Sequence, residues 1–485
     1  MEVFLIKALQ LIASLSLLVI LHEGGHFFFA KLFHTRVEKF SLFFGYKFNI
    51  FSTYSKWFRK LIGKQPAKVK YIKDKDGNDV PDGYEYEGTE YAIGWIPLGG
   101  YVKISGMIDE SMDTEQMKQP AKPWEFRSKP AYQRLLIMVG GVLVNFLLAL
   151  FIYSMILFAW GESYVSPKDM TLGMTFNEQA KNLGFKDGDK VIGADDEVFE
   201  KFNGSMLRSV SNAKTVKILR QDKEMKINMP EEGVSLLDML KSTRPFMMVS
   251  IPTVVREVIN DTPASEAGIN VGDTLLAING TSLKTWTDYN VYIAELGESL
   301  KDAPTYDSIQ ARHVSIVLKR AKTNVVDTIS VFLNSELKMG IMQDSANSFY
   351  TPTEVNYSFF ESIPAGIDYG CQTLAGYVSD LKYLFTSDGV KSVGSFGAMG
   401  DMFAPEWDWH RFWEITALFS IILAFMNILP IPALDGGHVL FLLVEVVTRR
   451  KPSDKFLERA QIVGMILLFA LMALALGNDI IRFIF

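Results

Sequence analysis

The five residues His22-Glu23-Gly24-Gly25-His26 stand at the end of an apolar run that begins at Val3, and this placement constrains the fold more than any other feature of the chain. On a helix, residues i and i+4 share one face. The two imidazoles can therefore bind one metal ion, and the Glu between them can serve as general base. The run from Val3 to Leu21 is broken only by Lys7, Gln10 and a few serines. It is long enough to span a bilayer, so the metal site lies inside the membrane or at its edge. His is scarce, with only His22, His26, His34, His313, His410 and His438 in the whole chain. Ionisable groups inside apolar segments are costly and mark function. The competing reading is a helix end that merely emerges into water carrying His and Glu.

Catalytic zinc takes three protein ligands and keeps one position open. The strongest candidate for the third lies in Asn427-Ile428-Leu429-Pro430-Ile431-Pro432-Ala433-Leu434-Asp435-Gly436-Gly437-His438, after a second apolar run, Phe412 to Met426. The two prolines must break a helix at membrane depth. Broken backbone there is tolerated only where it is buried in protein or lines a wet cavity. Asp435 is thus the candidate ligand, the alternative being an ordinary N-cap of a short interfacial helix running from His438 to Val447. His438 is a further candidate, ranked as a capping or supporting group.

Composition agrees with a membrane protein: 48% of the 485 residues are hydrophobic and 13% aromatic, and the mean hydropathy is positive. Four stretches are expected to span, at about 3–21, 135–159, 412–430 and 460–477. Basic residues after the first span (Lys31, Arg36, Lys39, Lys47), before the second (Arg127, Lys129, Arg134) and between the third and fourth (Arg449, Arg450, Lys451, Lys455, Arg459) mark the cytoplasmic side. Acidic flanks (Glu162, Asp401, Glu406, Asp408) then face out, with both termini and residues 160–410 external. The N-terminal run is too long for a cleaved signal peptide and carries the metal motif. The single Cys371 excludes an intramolecular disulfide. The net charge of −6 says little about partners, and a nucleic acid is not among those expected.

The external part contains a duplication. Ala180, Gly184, Gly188 and Asp189 recur as Ala264, Gly268, Gly272 and Asp273, every pair offset by 84 residues (273 against 189). Each Gly-Asp precedes an apolar stretch, and each copy later shows a basic alternating strand, 216–220 and 314–320. The pattern resembles PDZ domains of the kind attached to bacterial proteases, at 163–240 and 246–338. Such domains bind extended peptides by strand addition; the alternative is that the pair only blocks access. Residues 339–410 are expected to be a linker with an amphipathic segment.

Between the first two spans, residues 37–50 and 91–106 are aromatic and β-prone. They are expected to form a hairpin sheet lying against the membrane, whose edge could hold a substrate in extended form; a core sheet of no direct role is the alternative. Residues 52–90, Lys-rich at first and then acidic at Asp74, Asp76, Asp79 and Asp82, read as a surface insertion. The domain boundaries expected on this basis are 1–30 (first span with the metal motif), 31–131 (cytoplasmic and membrane-associated β region), 132–160 (second span), 411–448 (third span with Asp435) and 458–485 (fourth span). The fold class is a polytopic α-helical membrane protein with four transmembrane helices, a membrane-associated β-hairpin and two external β-rich PDZ-like domains.

With these motifs in hand, the chain resembles the site-2 protease family of intramembrane zinc metalloproteases, of the RseP type with tandem PDZ domains. The resemblance runs through His22-Glu23-x-x-His26, Ile96-Pro97-Leu98-Gly99-Gly100-Tyr101-Val102-Lys103, Phe126-x-x-Lys129-Pro130-x-x-x-Arg134, Gly141-x-x-x-Asn145 and Asn427-x-x-Pro430-x-x-x-Leu434-Asp435-Gly436-Gly437. It implies that His22, His26 and Asp435 bind zinc, that Glu23 activates water, and that Asn427, Gly45 and Asn145 contact substrate. It also implies an inner-membrane location with termini and PDZ-like units in the periplasm. The implied substrates are single-span membrane proteins, typically anti-sigma factors already shortened outside, and in some cases remnant signal peptides. The chain departs from the family pattern in three places: Gly141-Val142 stands where Gly-Pro is usual, Ser395-Phe396-Gly397-Ala398-Met399-Gly400 replaces a Gly-Pro-Ile-like segment, and 52–90 has no counterpart. Two other classes compete. A scaffold with structural metal would normally close the site with four ligands. A transporter would use broken helices for ions, but no repeat of the spans is present.

Overall fold

The computed structural model describes residues 2–45, 48–55, 58, 68–73, 79–85, 88–107, 120–231, 233–241, 244–301 and 304–484. The chain divides into two units, Met1–Trp160 with Asn356–Phe485, and Gly161–Val355.

Four helices of the first unit, Glu2–Leu32, Ala131–Trp160, Trp409–Ile428 and Asp454–Ile484, are long and apolar enough to cross a membrane. The chain is a polytopic membrane protein. The first helix does not stop at Leu21. It continues through His26 to Leu32, so the apolar run and the metal motif form one element. Between such helices no hydrophobic force acts, and close packing and polar contacts must hold them. Gln10, Ser14, Asn145, Thr416 and Ser420 are all fully buried. Thr416 Oγ1 donates to Ser14 Oγ at 2.9 Å, and Ser420 Oγ to the Asn145 carbonyl at 2.7 Å. Spans one and two meet at a glycine pair, where a Cβ on Gly25 would lie 2.3 Å from the Gly140 oxygen. That crossing presses the metal motif against span two.

Six strands follow the first span: β1 (Val37–Phe44), β2 (Phe51–Ser52), β3 (Lys68–Lys73), β4 (Asp79–Glu85), β5 (Glu90–Ile93) and β6 (Ile96–Ile104). Four of them form one sheet in the order β2-β5-β1-β6. The β1–β6 pair is antiparallel, with Phe40 opposite Val102, as a hairpin between 37–50 and 91–106 requires. Residues 91–106 are nevertheless two strands, because β5 runs parallel to β1 on its other side. The chain crosses between them at Gly94, where a Cβ would lie 2.3 Å from the Phe44 carbonyl carbon and no larger residue fits. β6 is an edge of this sheet. One face packs on Ala30, Ile137, Met138 and Leu442, which fixes the sheet against spans one and two. Within 52–90, β3 and β4 pair as an antiparallel hairpin. Asp74 and Asp76 lie outside the described residues.

Span three begins at an N-cap, Asp408, which accepts from Arg411 N at 3.1 Å, amid an aromatic cluster of Trp407, Trp409, Phe412 and Trp413. It ends at Ile428, and Asp435–Thr448 forms a separate helix beyond the prolines. Helix Phe359–Asp380, with a Ser358–Glu361 capping box, packs along span two where a Cβ on Gly366 would meet the Ser154 backbone at 2.4 Å.

The Gly161–Val355 unit repeats itself in three dimensions. Its two four-stranded sheets share one order: Glu197–Val198, Lys190–Ala194, Thr215–Arg220, Lys223–Asn228, then Thr281–Ser282, Thr274–Ile278, His313–Lys319, Val326–Phe332. The duplicated Gly-Asp explains itself here. Asp189 is buried and accepts from Arg220 Nε and Nη2 at 2.7 Å each, while Nη2 also reaches the Gly184 carbonyl. Asp273 and Arg320 repeat the clamp, with Arg320 Nη1 on the Gly268 carbonyl. A buried carboxylate needs such a partner. The unit extends past residue 338, since Ile341–Gln343 pairs with Val255–Val258 and Thr353–Val355 with Glu162–Tyr164.

Candidate metal centre

Three side chains from two elements converge, two of them on the first apolar helix. His22 and His26 sit one helical turn apart, with Nε2 atoms 3.3 Å from each other. Asp435, at the start of its helix, brings Oδ2 to 3.1 Å from His22 Nε2 and 3.2 Å from His26 Nε2. Among the described residues this is the one group of three His, Cys, Asp or Glu side chains whose donor atoms converge in this way. All three approach distances match the edge of a tetrahedron, roughly 3.3 Å when each ligand lies about 2.0–2.1 Å from zinc.

Protonation supports the same use. His26 Nδ1 faces the Ile137 carbonyl at 2.8 Å and must donate to it, which leaves a lone pair on Nε2 aimed at the trio. Asp435 Oδ2 is buried and receives no hydrogen bond. Two nitrogen lone pairs and a carboxylate oxygen converging in an apolar surrounding repel one another unless a cation joins them. His22 Nδ1 lies 3.3 Å from Asn145 Nδ2, and turning that amide over brings its Oδ1, which has no partner of its own, to the same nitrogen. Asn145 can therefore hold the Nδ1 proton of His22 and free its Nε2 to bind metal.

Local sequence explains why the pieces fit. A Cβ on Gly141 would lie 2.5 Å from His26 Nε2 and 2.8 Å from His22 Cε1, so span two passes the imidazoles only because residue 141 has no side chain. Gly436 and Gly437 let the Asp435 helix start directly beneath the preceding loop; a Cβ on Gly436 would be 2.0 Å from the Leu429 oxygen. Glu23 is on the turn between the histidines, with its carboxyl beside the Val102 backbone of β6. Its carboxylate therefore lies between the imidazoles and the sheet edge.

Of the other residues marked in the sequence, Asn427 stands at the rim, Nδ2 3.4 Å from His22 Nε2. Asn145 is beside the imidazole, fully buried. Gly45 is not brought to the trio: it follows β1 and packs against Asn49 and Gly94. His438 lines a separate cavity of about 260 Å³ with Arg134, Glu445 and Gln461. Nothing in the sequence marks Ile137, whose carbonyl carries no residue-type signal, or Gln461, a polar side chain within an apolar span.

The sequence profile of peptidase family M50 matches residues 10–59 and 83–471. The chain belongs to peptidase family M50. Three similar relatives cover nearly the whole length. One from Vibrio cholerae, named "Putative zinc metalloprotease", is 30% identical over 97% of this chain and 97% of its own. The "Regulator of sigma E protease" of Haemophilus influenzae is 26% identical, covering 97% and 98% of the two chains. The "Regulator of sigma-E protease RseP" of Escherichia coli is 26% identical over 99% of each. Site-2 protease chemistry and zinc follow for this family M50 chain: it is a zinc metalloprotease with membrane-spanning helices.

Proposed function

We propose that this M50 protease cuts peptide bonds within transmembrane segments of single-span membrane proteins, with His22, His26 and Asp435 as zinc ligands and Glu23 as general base. The observation that carries the reading is the convergence of three metal-type donors beside a carboxylate that touches an open strand edge. Zinc held there supplies Lewis-acid polarisation of the scissile carbonyl and a lowered pKa for water. Glu23 takes the proton from the attacking water and passes it to the leaving amine. A substrate helix hides its own carbonyls in hydrogen bonds, so it must unwind before it is cut. The free edge of β6 offers main-chain partners to the unwound segment, and Asn427 at the rim offers its amide. Asn145, buried beside His22, orients that imidazole from behind.

Charge placement around the spans supports a cytoplasmic position for Arg449, Arg450 and Lys451 and an external one for residues 161–355 and both termini. The repeated unit 161–355 is PDZ-like in our reading and screens substrates by the size of their external portion. By analogy with the names of its relatives, the chain would act in sigma-factor regulation, on anti-sigma-type substrates in the inner membrane.

The test is cleavage of a single-span substrate by purified full-length protein, with the cut mapped by mass spectrometry. The proposal expects a cut inside the apolar segment, faster when the substrate's external domain is short. A cut outside that segment would overturn it.

A further inference from the structure

We propose that Gln461, on the fourth span, is a positioning residue for Asp435, acting through a strained turn. Gln461 is buried, and its Oε1 accepts the Ala433 backbone N–H at 3.2 Å. Ala433 is the third residue of a turn closed by Leu434 N on the Ile431 carbonyl at 3.1 Å, with Pro432 second. That is the layout of a type II turn, whose third position requires a positive φ and favours Gly or Asn. Ala433 has φ 76°. A residue with a Cβ persists there only where its surroundings hold it. The fourth span is that surrounding: a Cβ on Gly464 would lie 1.8 Å from the Pro432 oxygen, so the helix backbone bears directly on the turn.

The turn sets Asp435. Leu434 is the N-cap of the Asp435–Thr448 helix and contributes no side-chain cap, so the direction in which that helix leaves the turn depends on backbone alone. Its first hydrogen bond, Gly437 N to the Leu434 carbonyl at 3.0 Å, starts from the residue after Ala433. The donor atoms of the metal trio stand within 3.3 Å of one another, and a shift of the turn by a fraction of an ångström moves Oδ2 off the imidazoles. Toward its other end the fourth span is tied at separate points, where Asn478 Nδ2 donates to the Val390 and Val393 carbonyls at 2.8 Å. One helix thus braces the metal centre near one end and the segment before span three at the other.

The test measures zinc affinity of purified full-length protein by chelator competition. It rests on the ligand assignment above: parent protein that binds no zinc would overturn both, whereas zinc binding by the parent isolates this claim. Gln461→Met removes the acceptor at similar volume and is expected to weaken zinc roughly ten- to a hundredfold, the loss usual when a supporting contact to a ligand is cut. Gln461→Glu keeps an acceptor oxygen and is expected to stay near the parent. Asn478→Ala loosens the same helix elsewhere and should leave affinity unchanged. Ala433→Gly takes the strain out of the turn, so Gln461→Met in that background should change affinity by no more than about twofold. That comparison also decides the matter if Gln461→Met alone does not accumulate. Unchanged affinity in Gln461→Met, an equal loss in Asn478→Ala, or the same loss with and without Ala433→Gly would each overturn the proposal.

Discussion

Two glycines in and beside the metal motif should respond differently to the addition of one methyl group. Gly141→Ala would place its Cβ 2.5 Å from His26 Nε2 and 2.8 Å from His22 Cε1. Carbon and nitrogen do not approach that closely, so one side must retreat by about 0.5–1 Å. His26 cannot retreat freely, because Nδ1 is held by Ile137 O at 2.8 Å on span two itself. Span two would have to withdraw, taking Ile137 with it and turning both imidazoles. Overpacking of this kind costs about 1–3 kcal/mol. At about 1.4 kcal/mol per factor of ten, a cost expressed at the trio weakens zinc roughly 5- to 150-fold. Gly24 lies inside the motif, yet a Cβ there meets nothing within 4 Å. Gly24→Ala should leave zinc affinity near that of the parent and favour the helix slightly. The assay is chelator competition on both purified variants. Gly141→Ala binding zinc as tightly as Gly24→Ala would refute the packing argument.

Other consequences are as direct. Asp435→Ala should lower bound zinc well below one ion per chain, because a catalytic site needs its third ligand; unchanged stoichiometry would move that ligand elsewhere. Arg220→Met strands the buried Asp189 carboxylate and should destabilise the 161–355 unit by about 3 kcal/mol, read as a lowered unfolding midpoint. Asp195 accepts backbone N–H groups of Thr215 at 2.8 Å and Lys214 at 3.1 Å, which hold its carboxyl below the ordinary value. A depressed carboxyl adds stability above its unfolded value of about 3.9 and loses it as pH falls through the folded one. Asp195→Asn should therefore flatten the acid limb of that unit's stability curve, and an unaltered limb would rule the carboxyl out as its source.

Much of the site is visible in the sequence because its chemistry is local. His22 and His26 share a helix face at any packing, and Asp435 announces itself as an acid where prolines break an apolar run. The spans are equally plain, though their ends are not: the first helix runs on to Leu32 because nothing after Leu21 opposes helix, and Gly24 and Gly25 cost too little to stop it. What stays hidden depends on a third dimension. Gly94 is one small residue in an aromatic stretch until the approach of Phe44 shows that it splits two strands. The amide of Asn145 becomes an orienting group only once span two lies against His22. Gly45, in a conspicuous segment, packs just after β1 against Asn49 and Gly94. The Asp189–Arg220 and Asp273–Arg320 clamps lie between, since the repeated Gly-Asp is legible and its arginine partners are not.

The central claim is that a carboxylate and a metal act together on one peptide bond. Glu23→Gln, prepared beside the parent and assayed for both zinc content and cleavage of a single-span substrate, tests it most directly. Full zinc occupancy is expected, since Glu23 is not among the three converging donors, with cleavage reduced by roughly 100- to 10,000-fold. Cleavage at the parent rate by a zinc-loaded Glu23→Gln variant would contradict it.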